Sequence, residues 1–249
     1  MTTESNYYEN FWVRGIGGWS PHDKRLNPFE ATLFQRHFPR NGTILDYGCG
    51  DGTHSAPFLK SEGFNYIGID VADSALQICR ERGLEVLKFN ADFSVPLSAA
   101  SVDGVVCFEV LEHIFDPSTA VAEISRVLKP GCWLVGSVPN VAFLGNRLLM
   151  LLGYFNPGGS PSTSLRRPWA DPHIRFFSIR TAETFLKECE LRNITTCGID
   201  FSFLDLPRLH KATGLQRVVL HAISRPFRWL GSRFPSMFSP RVYFIAQKL

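Results

Sequence analysis

The residues of this chain best suited to chemistry are a cluster of glycines and three carboxylates that fall where strand-like segments end. Asp46-Tyr47-Gly48-Cys49-Gly50-Asp51-Gly52 has the form D-x-G-x-G-x-G and closes a short apolar run, Thr43–Tyr47. Glycines so spaced let the backbone turn tightly and leave no Cβ between its amides and a ligand. The spacing is not the dinucleotide G-x-G-x-x-G, because Thr53 stands where the last glycine should be. An acidic residue two places before the first glycine suits a ligand with a cationic amino group better than a pyrophosphate. A second run, Tyr66-Ile67-Gly68-Ile69-Asp70, ends in a carboxylate that can accept from both hydroxyls of a ribose. A third leads into Asn90-Ala91-Asp92-Phe93, where Asp92 can accept from an exocyclic adenine amine and Phe93 can lie beside the ring. Taken singly, Asp70 and Asp92 would each more often be turn or cap residues. In this order at successive strand ends, the four features point to an adenosine-type ligand.

Those ends require elements to hold them. Asn27-Pro28 followed by Phe29, Leu33, Phe34 and Phe38 reads as an N-capped helix that stops at Pro39. Strands are expected at 43–47, 65–70, 85–89, 102–108 and 132–138, with helices at 53–62, 73–82 and 118–128 between them. Alternation of this kind means βαβ crossovers, and so an α/β fold with a mainly parallel sheet and helices on both faces. Beyond it come a helix at 140–153, a Pro/Gly/Ser-rich loop at 156–172, a helix at 181–190, and strands at 194–203 and 241–247. Residues 1–25 are rich in aromatics and glycine without either period, and they read as an irregular arm over the domain at 26–249. Residues 206–235 read as a basic, amphipathic helical insertion.

The run Ile44–Thr53, with Gly68-Ile69-Asp70, Ala91-Asp92-Phe93 and Val110-Leu111-Glu112-His113, resembles the class I S-adenosylmethionine-dependent methyltransferases. Arg126-Val127-Leu128-Lys129-Pro130-Gly131, Val138-Pro139-Asn140 and His173-Ile174-Arg175-Phe176-Phe177-Ser178 are similar to the MetW-like and ubiquinone-biosynthesis-type members that act on small molecules. The resemblance covers about residues 40–200. It implies a Rossmann-like seven-stranded sheet with an antiparallel last strand, and S-adenosyl-L-methionine as cofactor with S-adenosyl-L-homocysteine as product. Carried over residue by residue, Asp46, Gly48, Cys49, Gly50 and Gly52 would hold the methionine part, and Asp70 with the adjoining Val71 the ribose. Ala91, Asp92 and Phe93 would contact adenine, and Glu109 and Val110 would flank the methionine tail. The arm at 1–25 and the segments 140–180 and 206–235 would then act as lid and caps over the acceptor.

Methyl transfer from a sulfonium is an in-line displacement, and a hydroxyl acceptor must lose a proton. His113, after the fourth strand, and His173, in the segment expected to fold over the site, are the candidate bases. His113 could instead cap the turn that starts at Glu109, and His54 is expected on a helix surface. Glu109, Glu112 and His113 at i, i+3, i+4 would share a helical face and could meet a divalent ion, but capping carboxylates are commoner and no metal is assigned. Arg166, Arg167 and Trp169 border the expected acceptor pocket, where paired arginines can clamp an anionic group or simply face solvent.

Composition narrows the rest. The chain has 249 residues with 45% apolar and 20% charged, which excludes global disorder. No segment approaches the ~20 apolar residues of a membrane-spanning helix. The polar N-terminus lacks a basic and then apolar leader, and six scattered cysteines form no C-x-x-C pair, so a reducing cytoplasm is expected. Eight Lys and Arg but no acidic residue follow Asp205, leaving +8 on the last 44 residues and −5 on the first 205. Such a tail suits an anionic ligand, peripheral contact with a membrane surface, or a solvated or sheet-packed cap. A nicotinamide-dependent dehydrogenase is disfavoured by the glycine spacing and the lack of a Tyr-x-x-x-Lys pair. A nucleic-acid methyltransferase is disfavoured by the lack of stacking platforms and of an Asn/Asp-Pro-Pro-Tyr/Phe run. The expected activity is methyl transfer to a small acceptor, anionic ones included, as a monomer or homodimer, oxygen being preferred. Nitrogen or carbon acceptors, and a cofactor-binding regulator without turnover, stay open.

Overall fold

The computed structural model describes residues 3–14, 26–90, 93–155, 171–198 and 213–249. Seven strands form one sheet: β1 (Thr43–Tyr47), β2 (Asn65–Asp70), β3 (Val86–Lys88), β4 (Val102–Phe108), β5 (Leu128–Pro139), β6 (Arg192–Gly198) and β7 (Arg241–Gln247). Their order is β3-β2-β1-β4-β5-β7-β6, with β7 antiparallel to both β5 and β6 and the other pairs parallel. The order reverses between β1 and β4, and the carboxyl ends flanking such a switch point are where open α/β sheets take ligands.

Strand periodicity explains why both faces are covered. Within β7, Val242, Phe244 and Ala246 join one apolar core while Tyr243 and Ile245 join the other. Leu45 against Ile44, and Leu134 against Val135, divide in the same way. The first core lies under α5 (Pro117–Val127) and the helix Ile179–Glu188; the second lies under α2 (Pro28–His37), α3 (Ala56–Ser61) and α4 (Asp73–Glu81). The start of α2 is fixed by a capping box: the Asn27 side chain accepts from the amides of Phe29 and Glu30, and the Asn27 amide donates to Glu30. Such a cap contributes about 1 kcal/mol. Arg126 on α5 donates to the carbonyls of Val95 and Leu97 and pairs with Glu123, tying down the segment after β3.

Three sequence expectations are corrected. The arm is not irregular throughout, because Thr3–Arg14 forms a helix, α1. Its support is tertiary: the Glu9 carboxylate accepts from the Ser74 and Asp73 amides at the start of α4, neutralising donors that end the helix ladder. Strand β5 begins at Leu128 and runs through Pro130-Gly131, where a break was expected. The register on β4 jumps across it, from Leu128 opposite Val102 to Trp133 opposite Gly104, so Pro130-Gly131 lies in a bulge, held by Lys129 on Asp103 at 2.6 Å and by the Gly131 amide on the Lys248 carbonyl at 2.8 Å. The third is His54, whose Nε2 lies 3.2 Å from the buried Glu30 carboxylate instead of facing solvent.

The remaining helices are α6 (Leu144–Leu151), α7 (Ile179–Glu188), α8 (Gly214–Arg233) and α9 (Pro235–Phe238). No helix among the described residues is long and apolar enough to cross a membrane. On α8, Leu215, Val218, Val219 and Trp229 are exposed, whereas Ser224 is buried. Part of the expected 206–235 insertion, and the 156–170 loop with Arg166, Arg167 and Trp169, lie outside the described residues.

Candidate active site

The glycine turn is fastened to β2 by backbone bonds. The Gly48 and Cys49 amides donate to the Ile69 carbonyl at 2.8 and 3.0 Å. The Gly50 amide donates to Asp70 Oδ2 at 2.8 Å, and the Ala72 amide to Asp70 Oδ1 at 3.0 Å. Each carboxylate oxygen is thus oriented by one amide while retaining a second lone pair, as a diol ligand requires. Burial raises the Asp70 pKa, opposed by the amides of Ala72, Gly50 and Val71.

Asp46 is buried at the tip of β1 and accepts from the Tyr66 hydroxyl at 3.1 Å. Burial pushes its pKa up to about 7, partly opposed by hydrogen bonds from Tyr66 and Ser55. A cationic amino group brought alongside would restore its ionised form.

The glycines answer to the protein's own side chains. A Cβ on Gly48, whose φ is +76°, would lie 2.5 Å from a methyl of Val110. A Cβ on Gly50, at φ +54°, would lie 2.4 Å from the Trp12 ring. Val110 therefore touches the glycine turn, and α1 also covers it. With Glu9 on the α4 N-terminus and the Tyr8 ring 6.0 Å from that of His113, α1 lies across the tips of β1, β2 and β4. Tyr8, Glu9 and Trp12 were not assigned to the site from sequence, although Tyr8 and Trp12 at i and i+4 were an available signal.

Phe93 is over a third exposed, at φ +63°, with its amide bound to the Asn90 carbonyl. Ala91 and Asp92 lie outside the described residues. Glu109 also has positive φ, +57°. Its carboxylate accepts from the Ser137 hydroxyl at 2.8 Å and lies 3.5 Å from Arg241 Nε. It thus belongs to a network at the ends of β4, β5 and β7, and does not share a helical face with Glu112 and His113. The turn there is a single 3-10 turn, Leu111–His113.

The two histidines do come together. The Ile174 and Arg175 amides donate to the Glu112 carbonyl at 2.9 and 3.0 Å, which lays the His173 segment on that turn. The His113 and His173 rings stack with centroids 4.6 Å apart. Nε2 of each lies 3.7 Å from Oε1 of Glu112, which is almost wholly buried. Nδ1 of His173 meets Asp171 Oδ1 at 2.5 Å, and Nδ1 of His113 meets the Pro172 carbonyl at 3.2 Å. Asp171 escaped the sequence reading, although an acid two residues before a candidate histidine was the available signal.

With this geometry in place, likeness to known proteins becomes informative. A family described as methyltransferase domain matches residues 22–204. The chain belongs to that family. It is 37% identical over 142 residues to a ubiquinone biosynthesis O-methyltransferase of Hydrogenovibrio crunogenus, covering 54% of this chain and 58% of that one. The Xylella fastidiosa protein of the same name is 31% identical over 137 residues, covering 50% and 55%. The chain thus spans little more than half the length of these curated relatives. Among solved structures, an Archaeoglobus fulgidus SAM-dependent methyltransferase superposes with TM-score 0.57 at 20% identity over 98% of this chain and 99% of that one. Phosphoethanolamine N-methyltransferase 2 of Haemonchus contortus, in complex with S-adenosyl-L-methionine, gives 0.59 at 18% identity over 99% and 57%. At these identities the structures bear out the fold: a seven-stranded Rossmann-like sheet closed by an antiparallel strand.

Proposed function

We propose that this protein transfers the methyl group of S-adenosylmethionine to a hydroxyl oxygen of a small molecule. The observation that carries the oxygen preference is the convergence of His113, His173 and Glu112 beside Val110, the residue that touches the cofactor's glycine turn. The names of the curated relatives support the same preference.

When bound, the cofactor supplies an electrophilic methyl on a sulfonium. Asp70 accepts from the ribose hydroxyls, and the ionised Asp46 faces the amino group of the methionine part. Gly48, Cys49 and Gly50 shape the turn around that part, Val71 follows the ribose side, and Glu109 and Val110 bound the tail. Ala91, Asp92 and Phe93 take the adenine. His113, His173 and Glu112 receive the acceptor hydroxyl and promote loss of its proton. One of the two imidazoles would keep that proton, and the bound cofactor would supply the methyl to the acceptor oxygen, its carbon–sulfur electron pair returning to sulfur. Helix α1 lies over the strand tips beside the acceptor position. The exposed apolar residues of α8, in a stretch without acidic side chains, support contact with an anionic lipid surface.

The test is transfer of labelled methyl from S-adenosylmethionine to matched panels of phenols, vicinal diols and primary amines. Label in ether products, reduced at least a hundredfold in a His113→Ala, His173→Ala double variant, is expected. Label confined to amines, or none in any acceptor, would overturn the reading.

A further inference from the structure

We propose that the hydroxyl of Tyr7 contacts the methyl acceptor, donating its hydrogen to an uncharged oxygen of that molecule and so fixing where the acceptor lies. Tyr7 sits on α1 the wrong way round. A tyrosine at a surface ordinarily buries its ring and leaves its hydroxyl to water or to a partner. Here the side chain as a whole is only half-buried, while its oxygen is buried and has no hydrogen-bond partner among the described residues. A hydroxyl held in this way costs stability, because its bonds to water are lost and nothing in the fold replaces them. Local rules are broken at such cost mainly where a ligand completes the structure.

Position selects the ligand. Three other side chains of α1 are already placed: Trp12 at Gly50, Glu9 at the start of α4, and Tyr8 edge-on to His113. The Tyr7 ring stands edge-on to that of Tyr8, with centroids 5.3 Å apart. It also feels the charge of Asp171, whose carboxylate holds Nδ1 of His173 at 2.5 Å. Tyr7 precedes Trp12 by five residues, about 7.5 Å along the helix. The hydroxyl therefore lies at the histidine end of the site, and Trp12 at the glycine turn.

Burial, and after it the Asp171 charge, raise the Tyr7 pKa, so the phenol keeps its hydrogen and acts as a donor. The same carboxylate repels an anion, which leaves a hydroxyl or carbonyl oxygen as the matching group. This deepens the methyl-transfer reading and rests on it for placing the acceptor beside the histidines. It does not depend on which atom of the acceptor is methylated.

The test is Tyr7→Phe in the whole chain, which removes one oxygen and keeps the ring against Tyr8. Without ligands the variant should melt about 2 °C or more above the unaltered protein, since the unpartnered hydroxyl is gone. Phenols, vicinal diols and amino alcohols, with benzoate as the anionic comparison, are then titrated by calorimetry into the S-adenosylhomocysteine complex. The tightest uncharged-oxygen binder should bind the variant at least fivefold more weakly, with S-adenosylhomocysteine itself within threefold of the unaltered protein. A tyrosine with a merely structural role gives the opposite pair, a lower melting temperature and unchanged binding. An equal or lower melting temperature overturns the proposal, as does a smaller loss of binding, an equal loss for S-adenosylhomocysteine, or no binding by any compound. Tyr7-dependent binding of benzoate alone overturns the uncharged oxygen. The expected loss of binding in a protein that labels only amino nitrogen keeps the contact and removes the hydroxyl-transfer reading. Label in ethers with binding untouched by the variant does the reverse.

Discussion

Asp70, at the tip of β2, accepts the amide of Gly50 from the turn after β1, so one carboxylate braces the glycine turn from the neighbouring strand. Asp70→Ala removes two charge-assisted bonds to the ribose, each contributing about 1.5–3 kcal/mol. The expected loss of S-adenosylhomocysteine affinity is therefore over a hundredfold by calorimetry. A thermal melt run alongside shows whether the turn stays folded, and affinity within threefold of the unaltered protein would remove Asp70 from the ribose.

Asp46 brings a pH dependence. Burial holds its folded pKa at about 7, above the ordinary aspartate value of 3.8. The folded chain therefore keeps a proton that the unfolded chain releases, and the stability this group contributes is fully present at low pH and is lost as pH rises towards 7. Asp46→Asn should accordingly raise the melting temperature at pH 8, while weakening a cofactor that needs the negative charge. In the unaltered protein, cofactor binding at pH 7 should release roughly half a proton, since binding favours the ionised form. Calorimetry in two buffers of different ionisation enthalpy reads this number. Zero release, with affinity flat from pH 5.5 to 7.5, would contradict the placement of the amino group.

The contact of Trp12 with Gly50 makes α1 a gate to the strand tips. Trp12→Ala, or removal of residues 1–14, should speed S-adenosylhomocysteine dissociation by about tenfold, the equivalent of about 1.4 kcal/mol of lost cover. Stopped-flow fluorescence measures it. Identical rates in all three proteins would show that α1 plays no part in retaining the cofactor.

Helix α8 exposes Leu215, Val218 and Trp229 in a stretch with no acidic residue. Sedimentation with vesicles should retain the protein on phosphatidylglycerol-containing membranes and not on pure phosphatidylcholine. Leu215→Ser with Trp229→Ser should reduce retention at least tenfold, since full burial of each such side chain contributes about 1.5–3 kcal/mol. Equal retention by both vesicle types would exclude the electrostatic half of this attraction.

Much of the sheet was legible because bounded apolar runs leave little choice of period. Strands β2, β4 and β7 begin and end where the residue pattern placed them, and Asp46 and Asp70 fall at strand tips because the runs before them end there. Helix α1 was not legible, since it is held by Glu9 on a residue 65 positions away, Ser74 of α4, and not by an apolar stripe of its own. The expected helical face of Glu109, Glu112 and His113 failed for a local reason. Glu109 turns through positive φ towards Ser137 and Arg241, and His173 arrives as the third group by backbone bonds to Glu112 that no spacing rule encodes.

The most direct measurement is the crystal structure of the protein with S-adenosylhomocysteine. Both ribose hydroxyls should lie within 3.2 Å of Asp70, with the thioether sulfur directed towards His113 and His173. A nucleoside bound elsewhere, or turned so that its sugar leaves Asp70 untouched, would contradict the account.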